Sequence, residues 1–161
     1  MIPRLIAIGS AALILSFATV ASAGDTFKAE LLPENEVPPV TDQPTTGKFE
    51  IQFNRDVTSG EFKLVVNKGT QVIQSHLHCG VAGVNGPVII FLAGAPTAPG
   101  AWDVDGQWIS NASVTSADIV NTSCGDTLAK IVAAARLGKV YANVHNKVHP
   151  GGVARGQLEE Q

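Results

Sequence analysis

Apolar and polar side chains alternate with a period of two along most of this chain. Phe49, Ile51 and Phe53 interleave with Lys48, Glu50 and Gln52, and Phe62, Leu64 and Val66 follow the same rule against Glu61, Lys63 and Asn67. Asp56 to Gly60 supplies turn residues between the two runs, so the pattern predicts an antiparallel pair with one solvated face. Further strands are expected over Thr26–Leu32, Gln71–His78, Pro87–Leu92, Asp103–Trp108, Lys139–His145 and Val153–Glu159, punctuated by Gly, Pro and Asn. Trp102 and Trp108 flank Asp105-Gly106, which reads as a tight hairpin turn with the indoles packing beside it.

One segment leaves the strand period. Asp126 or Thr127 is placed to cap a helix whose Leu128, Ile131, Val132 and Ala135 share one face, and Gly138 stands where a left-handed terminal residue is wanted. Ser113 to Asp118 has the composition of one more helical turn. Many short strands with frequent turns and a single short helix predict an all-β domain, an immunoglobulin-like or Greek-key β-sandwich or barrel.

The first 23 residues follow a different logic. Arg4 precedes an almost unbroken apolar run from Leu5 to Val20, and Ala21-Ser22-Ala23 has the small-x-small form of a cleavage site. Residues 1–23 therefore read as a secretory signal peptide, and 24–161 as one domain exported to the periplasm or secreted. No later apolar run reaches membrane-spanning length, so no membrane association is expected after cleavage. The formal net charge is −3, one unit more negative once Arg4 leaves, and no basic cluster is present, which argues against nucleic acid and anionic surfaces as partners.

Two cysteines, Cys79 and Cys124, lie in the exported part. An oxidising compartment favours a disulfide between them, and the alternative makes Cys79 a thiolate ligand beside His78.

All four histidines fall in two short segments, Ser75-His76-Leu77-His78-Cys79 and His145-Asn146-Lys147-Val148-His149. On a strand His76 and His78 project from one face about 7 Å apart, a gap that a metal ion bridges. Strand parity also sends Tyr141, Asn143 and His145 away from Val140, Ala142 and Val144, so His145 emerges on a polar face. If the two strands are neighbours, three imidazoles converge, with His149 as a fourth candidate ligand and Asn143, Tyr141, Gln157 or Glu36 as candidate groups to fix the ring tautomers. Imidazoles without a soft sulfur suit Cu(II) or Zn(II), and copper leads the affinity order. The plain alternative is a pair of hydrogen-bonded strand histidines. Glu36, ahead of Pro38-Pro39, reads as the extended end of the first strand, and Arg155 as the partner of a carboxylate, Glu36 or Asp118.

Four motifs occur in order: Glu36-Val37-Pro38-Pro39-Val40, His76-Leu77-His78-Cys79-Gly80 through Gly86-Pro87-Val88, Val140-Tyr141-Ala142-Asn143-Val144-His145, and Pro150-Gly151-Gly152-Val153-Ala154-Arg155-Gly156-Gln157-Leu158. Together they resemble the CHRD domain, a module named for its repeats in chordin and also found singly in bacterial exported proteins. The resemblance spans about Phe27 to Glu159. It implies an all-β, immunoglobulin-like or barrel-like module whose His-x-His pair and distal histidine are His76, His78 and His145. That arrangement is similar in outline to the copper ligands of copper/zinc superoxide dismutases, which favours copper over zinc. The chain departs from the family's habit in two places, with Val153 where an acidic residue is common and His149 where Asn or another polar residue is usual.

The resulting expectation is an exported protein that binds one copper ion through His76, His78 and His145, with His149 as possible fourth ligand, for storage, transport or buffering. Two rivals accompany it. One is a metal-free structural or adhesive module that binds a protein partner or forms a homo-oligomer. The other is a copper-dependent redox enzyme resembling superoxide dismutase, with Lys147 as the nearest residue to steer an anionic substrate.

Overall fold

The computed structural model describes residues 24–94 and 100–161; the expected signal peptide, 1–23, lies outside them. The elements run β1 (Thr26–Leu31), β2 (Thr46–Phe53), β3 (Ser59–Cys79), β4 (Val88–Ala93), β5 (Trp102–Thr115), α1 (Leu128–Arg136), β6 (Val140–Asn146), β7 (Ala154–Gln157) and β8 (Glu159–Glu160). All pairings are antiparallel, in the order β7-β6-β3-β2-β1-β8, with β4 and β5 both added to β3. The last stretch of chain borders both edges of this sheet: β7 pairs with β6, while a Leu32–Arg155 bridge and β8 tie the same stretch to β1. The sheet is thereby almost closed into a barrel, which leaves few unpaired edges.

The β2–β3 pair matches the alternation in the sequence. Phe49 faces Leu64 and Ile51 faces Phe62, all buried, while Lys48, Glu50 and Lys63 stay in water. At about 1.5–3 kcal/mol for each large apolar side chain removed from water, this face supplies much of the drive to fold.

Two expected features are corrected. The strands expected near Phe62–Val66 and Gln71–His78 are one continuous strand, β3, and Asn67 to Thr70 is not a turn. Lys68 and Gln71 take φ of 52° and 48°, and the register slips on either side of Gly69, so the segment is bulged rather than reversed. The backbone N–H of Lys68 donates to Asp105 Oδ1 at 3.0 Å and that of Gln71 to Asp103 Oδ1 at 2.9 Å. These carboxylates belong to β5, which likewise runs straight through the expected Asp105-Gly106 hairpin, with Gly106 facing Val66. Side chains that resemble turn formers thus satisfy bulge amides on the neighbouring strand. Trp102 and Trp108 do pack together, ring centroids 5.9 Å apart.

The helix forms where its pattern places it. Thr127 caps it by accepting from the Lys130 N–H at 3.3 Å, Leu128, Ile131, Val132 and Ala135 are buried, and Gly138 takes φ 67° just past its end. The second helical turn is short, a 3-10 turn over Ser116–Asp118 closed by a Thr115–Asp118 capping box. Cys79 and Cys124 form a disulfide, which fastens the end of β3 to the segment before α1 and removes Cys79 as a thiolate ligand. Closing a 45-residue separation contributes about 4 kcal/mol by chain entropy.

Candidate metal centre

The second half of β3 lies between β4 and β6, and its register decides which side chains meet. Leu77 faces Ala142 and Ser75 faces Val144 on one side of the sheet; His76 faces Asn143, His78 faces Tyr141 and Gln74 faces His145 on the other. Arg155 and Gln157 of β7 extend the second side beyond Asn143 and Tyr141, and Phe91 of β4 borders it beside His76. Strand parity therefore assigned the faces correctly. Both are covered, however, because every residue of β6 is buried. The side expected to be polar is polar and buried.

Three imidazoles converge there. One ring nitrogen from each of His76, His78 and His145 lies within 4.8 Å of the others, and no carboxylate or sulfur shares the cluster among the described residues. The three residues are 4 %, 7 % and 5 % exposed, too little for water to solvate a charge on them.

Hydrogen bonding fixes the tautomers. His78 Nδ1 donates to the Gly86 carbonyl at 2.9 Å and His145 Nδ1 to the Pro150 carbonyl at 3.0 Å, so both rings carry their lone pair on Nε2. His145 Nε2 then accepts from His76 Nδ1 at 2.9 Å, which leaves the lone pair of His76 on its own Nε2. The Nε2 atoms of His76 and His78 are buried without a hydrogen-bond partner. Two orphaned acceptors on adjacent rings carry a desolvation cost of about 1–3 kcal/mol each, which a cation would relieve. Backbone carbonyls fill the orienting role expected of Asn143, Tyr141, Gln157 or Glu36.

The protonation state suits ligation. Burial, reinforced by the neighbouring imidazoles, lowers the His76 pKa from 6.5 to about 3. Burial also lowers His145 to about 4 against the opposing pull of the Pro150 carbonyl, and it lowers His78. All three are neutral donors at pH 7. A metal held at about 2.0 Å from each nitrogen spans at most about 4 Å between donors, so on binding the widest pair closes by about an ångström and the His76–His145 hydrogen bond, which occupies the His145 lone pair, gives way to the ion. The donor set fits a late transition metal ion.

His149 does not join the cluster. The turn after β6 carries it to Asp42, where its Nε2 is 2.8 Å from the Oδ1.

Tyr141, Arg155 and Glu36 form the wall of this centre. The Tyr141 ring lies 4.8 Å from His78 with planes 10° apart, and the Arg155 guanidinium sits 4.6 Å from the other ring centroid, that of Tyr141. Of the two carboxylates offered to Arg155, the structure uses Glu36, with Oε2 2.7 Å from Nε and 2.6 Å from Nη2, while Asn85 Oδ1 takes a further bond from Nη2 at 2.5 Å. Glu36 is accordingly more than a strand end: it is buried, and burial raises its pKa in spite of the guanidinium. Its position before Pro38-Pro39, opposite an Arg that also sits in an ordered motif, was the available signal. Gly152, at φ 136°, has no room for a Cβ, which would stand 2.6 Å from Glu36 Oε1 and 2.7 Å from Asn143 Nδ2.

No curated protein and no solved structure matches the chain. The model of the CHRD domain family matches residues 27–158, which include the Glu36–Arg155 pair, the three converging histidines and both cysteines. The chain belongs to the CHRD domain family.

Proposed function

We propose that this protein is exported by the leader at residues 1–23 and holds one copper ion through His76, His78 and His145, serving to store, carry or buffer the metal. The observation that carries this reading is the pair of buried Nε2 lone pairs with no partner, on rings whose third member lies within bonding reach. A buried acceptor without a partner carries a free-energy cost, and an ion bound at these two nitrogens would remove it. Among divalent ions copper is preferred over zinc, because imidazole donors follow the affinity order in which copper stands highest.

Holding the ion fits better than catalysis with it. A redox enzyme needs an ion that substrate reaches, and no residue of this triad is more than 7 % exposed. Titration of tag-free protein with Cu(II) and, anaerobically, with Cu(I) is expected to show one copper per chain in at least one of the two states, and His76→Ala or His145→Ala to weaken that uptake at least about a hundredfold, the loss that removal of an outer partner alone approaches. Absence of stoichiometric uptake, or uptake indifferent to both substitutions, overturns the reading.

A further inference from the structure

We infer that the histidine centre selects a monovalent ion, Cu(I) as its natural cargo and Ag(I) as its inert probe, over divalent Cu(II) or Zn(II). The inference rests on the proposed metal-binding role and adds the charge state of the ion to it.

Charge is the first ground. All three donors are neutral imidazoles, and among the described residues no carboxylate lies in the cluster. The nearest buried formal charges on this side of the sheet are Arg155 and Glu36, which cancel each other at 2.6 Å. The one nearby sulfur, that of Cys79, is bound to Cys124 and offers no thiolate. An ion therefore keeps its full charge when it enters. The cost of placing an ion in a poorly polarisable interior grows with the square of its charge, about fourfold between one and two units. Imidazole as a ligand accepts either class, so the surroundings decide.

Coordination number is the second. Zinc completes a tetrahedron of four donors, and a three-histidine zinc site keeps a water in the fourth place. Cu(I) and Ag(I) are satisfied by two or three nitrogens in a plane. Here three rings close on one another in a buried space, and the remaining imidazole, His149, is engaged by Asp42.

The orientation of Arg155 sharpens the preference. Its guanidinium faces the triad across a single aromatic ring, stacked on Tyr141, which is stacked on His78. Whatever part of that positive field its pairing with Glu36 leaves uncompensated repels a divalent ion twice as strongly as a monovalent one.

The test compares Ag(I) with Zn(II), both redox-silent, and anaerobic Cu(I) with Cu(II), each in competition with a chelator of known affinity against the full mature chain. Binding of Ag(I) and Cu(I) at one per chain, at least about a hundredfold tighter than Zn(II) and Cu(II), is expected. Equal or tighter binding of the divalent ions overturns the selection while leaving the metal site standing. A chain that takes up no ion of either charge ends both readings.

Glu36→Gln separates electrostatics from the softness of the ions. It keeps the shape and a hydrogen bond to Arg155 while uncovering the guanidinium's charge. The monovalent-to-divalent affinity ratio should rise about tenfold; an unchanged ratio in a folded variant removes charge as the cause.

Discussion

Tyr141 lies flat against His78, the two planes 10° apart, and its hydroxyl accepts the Gly86 N–H at 3.2 Å while the Gly86 carbonyl accepts from His78 Nδ1 at 2.9 Å. One tyrosine thus positions the imidazole directly through its ring and indirectly through the loop that fixes the tautomer. Tyr141→Phe keeps the stack and loses one hydrogen bond, so a cost of about 1 kcal/mol and nearly unchanged metal uptake are expected. Tyr141→Ala empties a fully buried site at about 3–5 kcal/mol and frees the His78 ring. Denaturant unfolding and metal titration of both variants check this; equal metal affinity in the two would deny the ring its positioning role.

Gly152→Ala offers a test of the crowded wall. The added methyl meets the Glu36 carboxylate and the Asn143 amide, in a backbone conformation, φ 136°, that side chains rarely adopt. A loss of about 2–4 kcal/mol is expected from strain and displaced polar groups together. A variant as stable as the parent would mean that Glu36 and Asn143 move aside freely.

Metal-free protein should lose stability in mild acid. In the unfolded chain these histidines take up protons near pH 6.5, whereas in the fold His145 does so only near 4 and His76 near 3. The unfolded state binds more protons between those values, so the contribution is complete above pH 6.5 and declines as the pH falls toward 3. The slope reaches about 1.4 kcal/mol per pH unit for each ring. Urea midpoints between pH 8 and 4.5 follow this; a flat profile below 6.5 would show that the rings protonate inside the folded chain.

His149→Ala discriminates between three ligands and four. With His149 bonded to Asp42 on the surface, its removal should change metal affinity by less than about threefold, the worth of an exposed pair. A loss comparable to that of His145→Ala would show that the turn swings inward when the ion arrives.

How much of this was legible in the sequence follows from the range of each interaction. Period-two alternation located β1, β2 and β6, an apolar run between Pro87 and Gly94 located β4, and a cap with four spaced apolar residues located α1, because these signals lie within a few residues of one another. Parity on β3 and β6 also placed His76, His78 and His145 on common faces. The bulges at Lys68 and Gln71 were hidden, since Asp103 and Asp105, which stabilise them, sit more than thirty residues away. Likewise nothing local told that Tyr141, Asn143 and Arg155 would be dry: that depends on the turns that cover β6, and on Glu36, which is 119 residues from Arg155.

The two carbonyls that hold the imidazole tautomers, Gly86 and Pro150, both belong to irregular surface segments, while the rings they hold stand on the sheet beneath. Latch and cover are the same pieces of chain. A breathing motion that lifts either segment would let an imidazole rotate and admit solvent in one event, so for the proposed metal cargo the speed of exchange would follow how often those segments open, while the strength of retention would belong to the sheet.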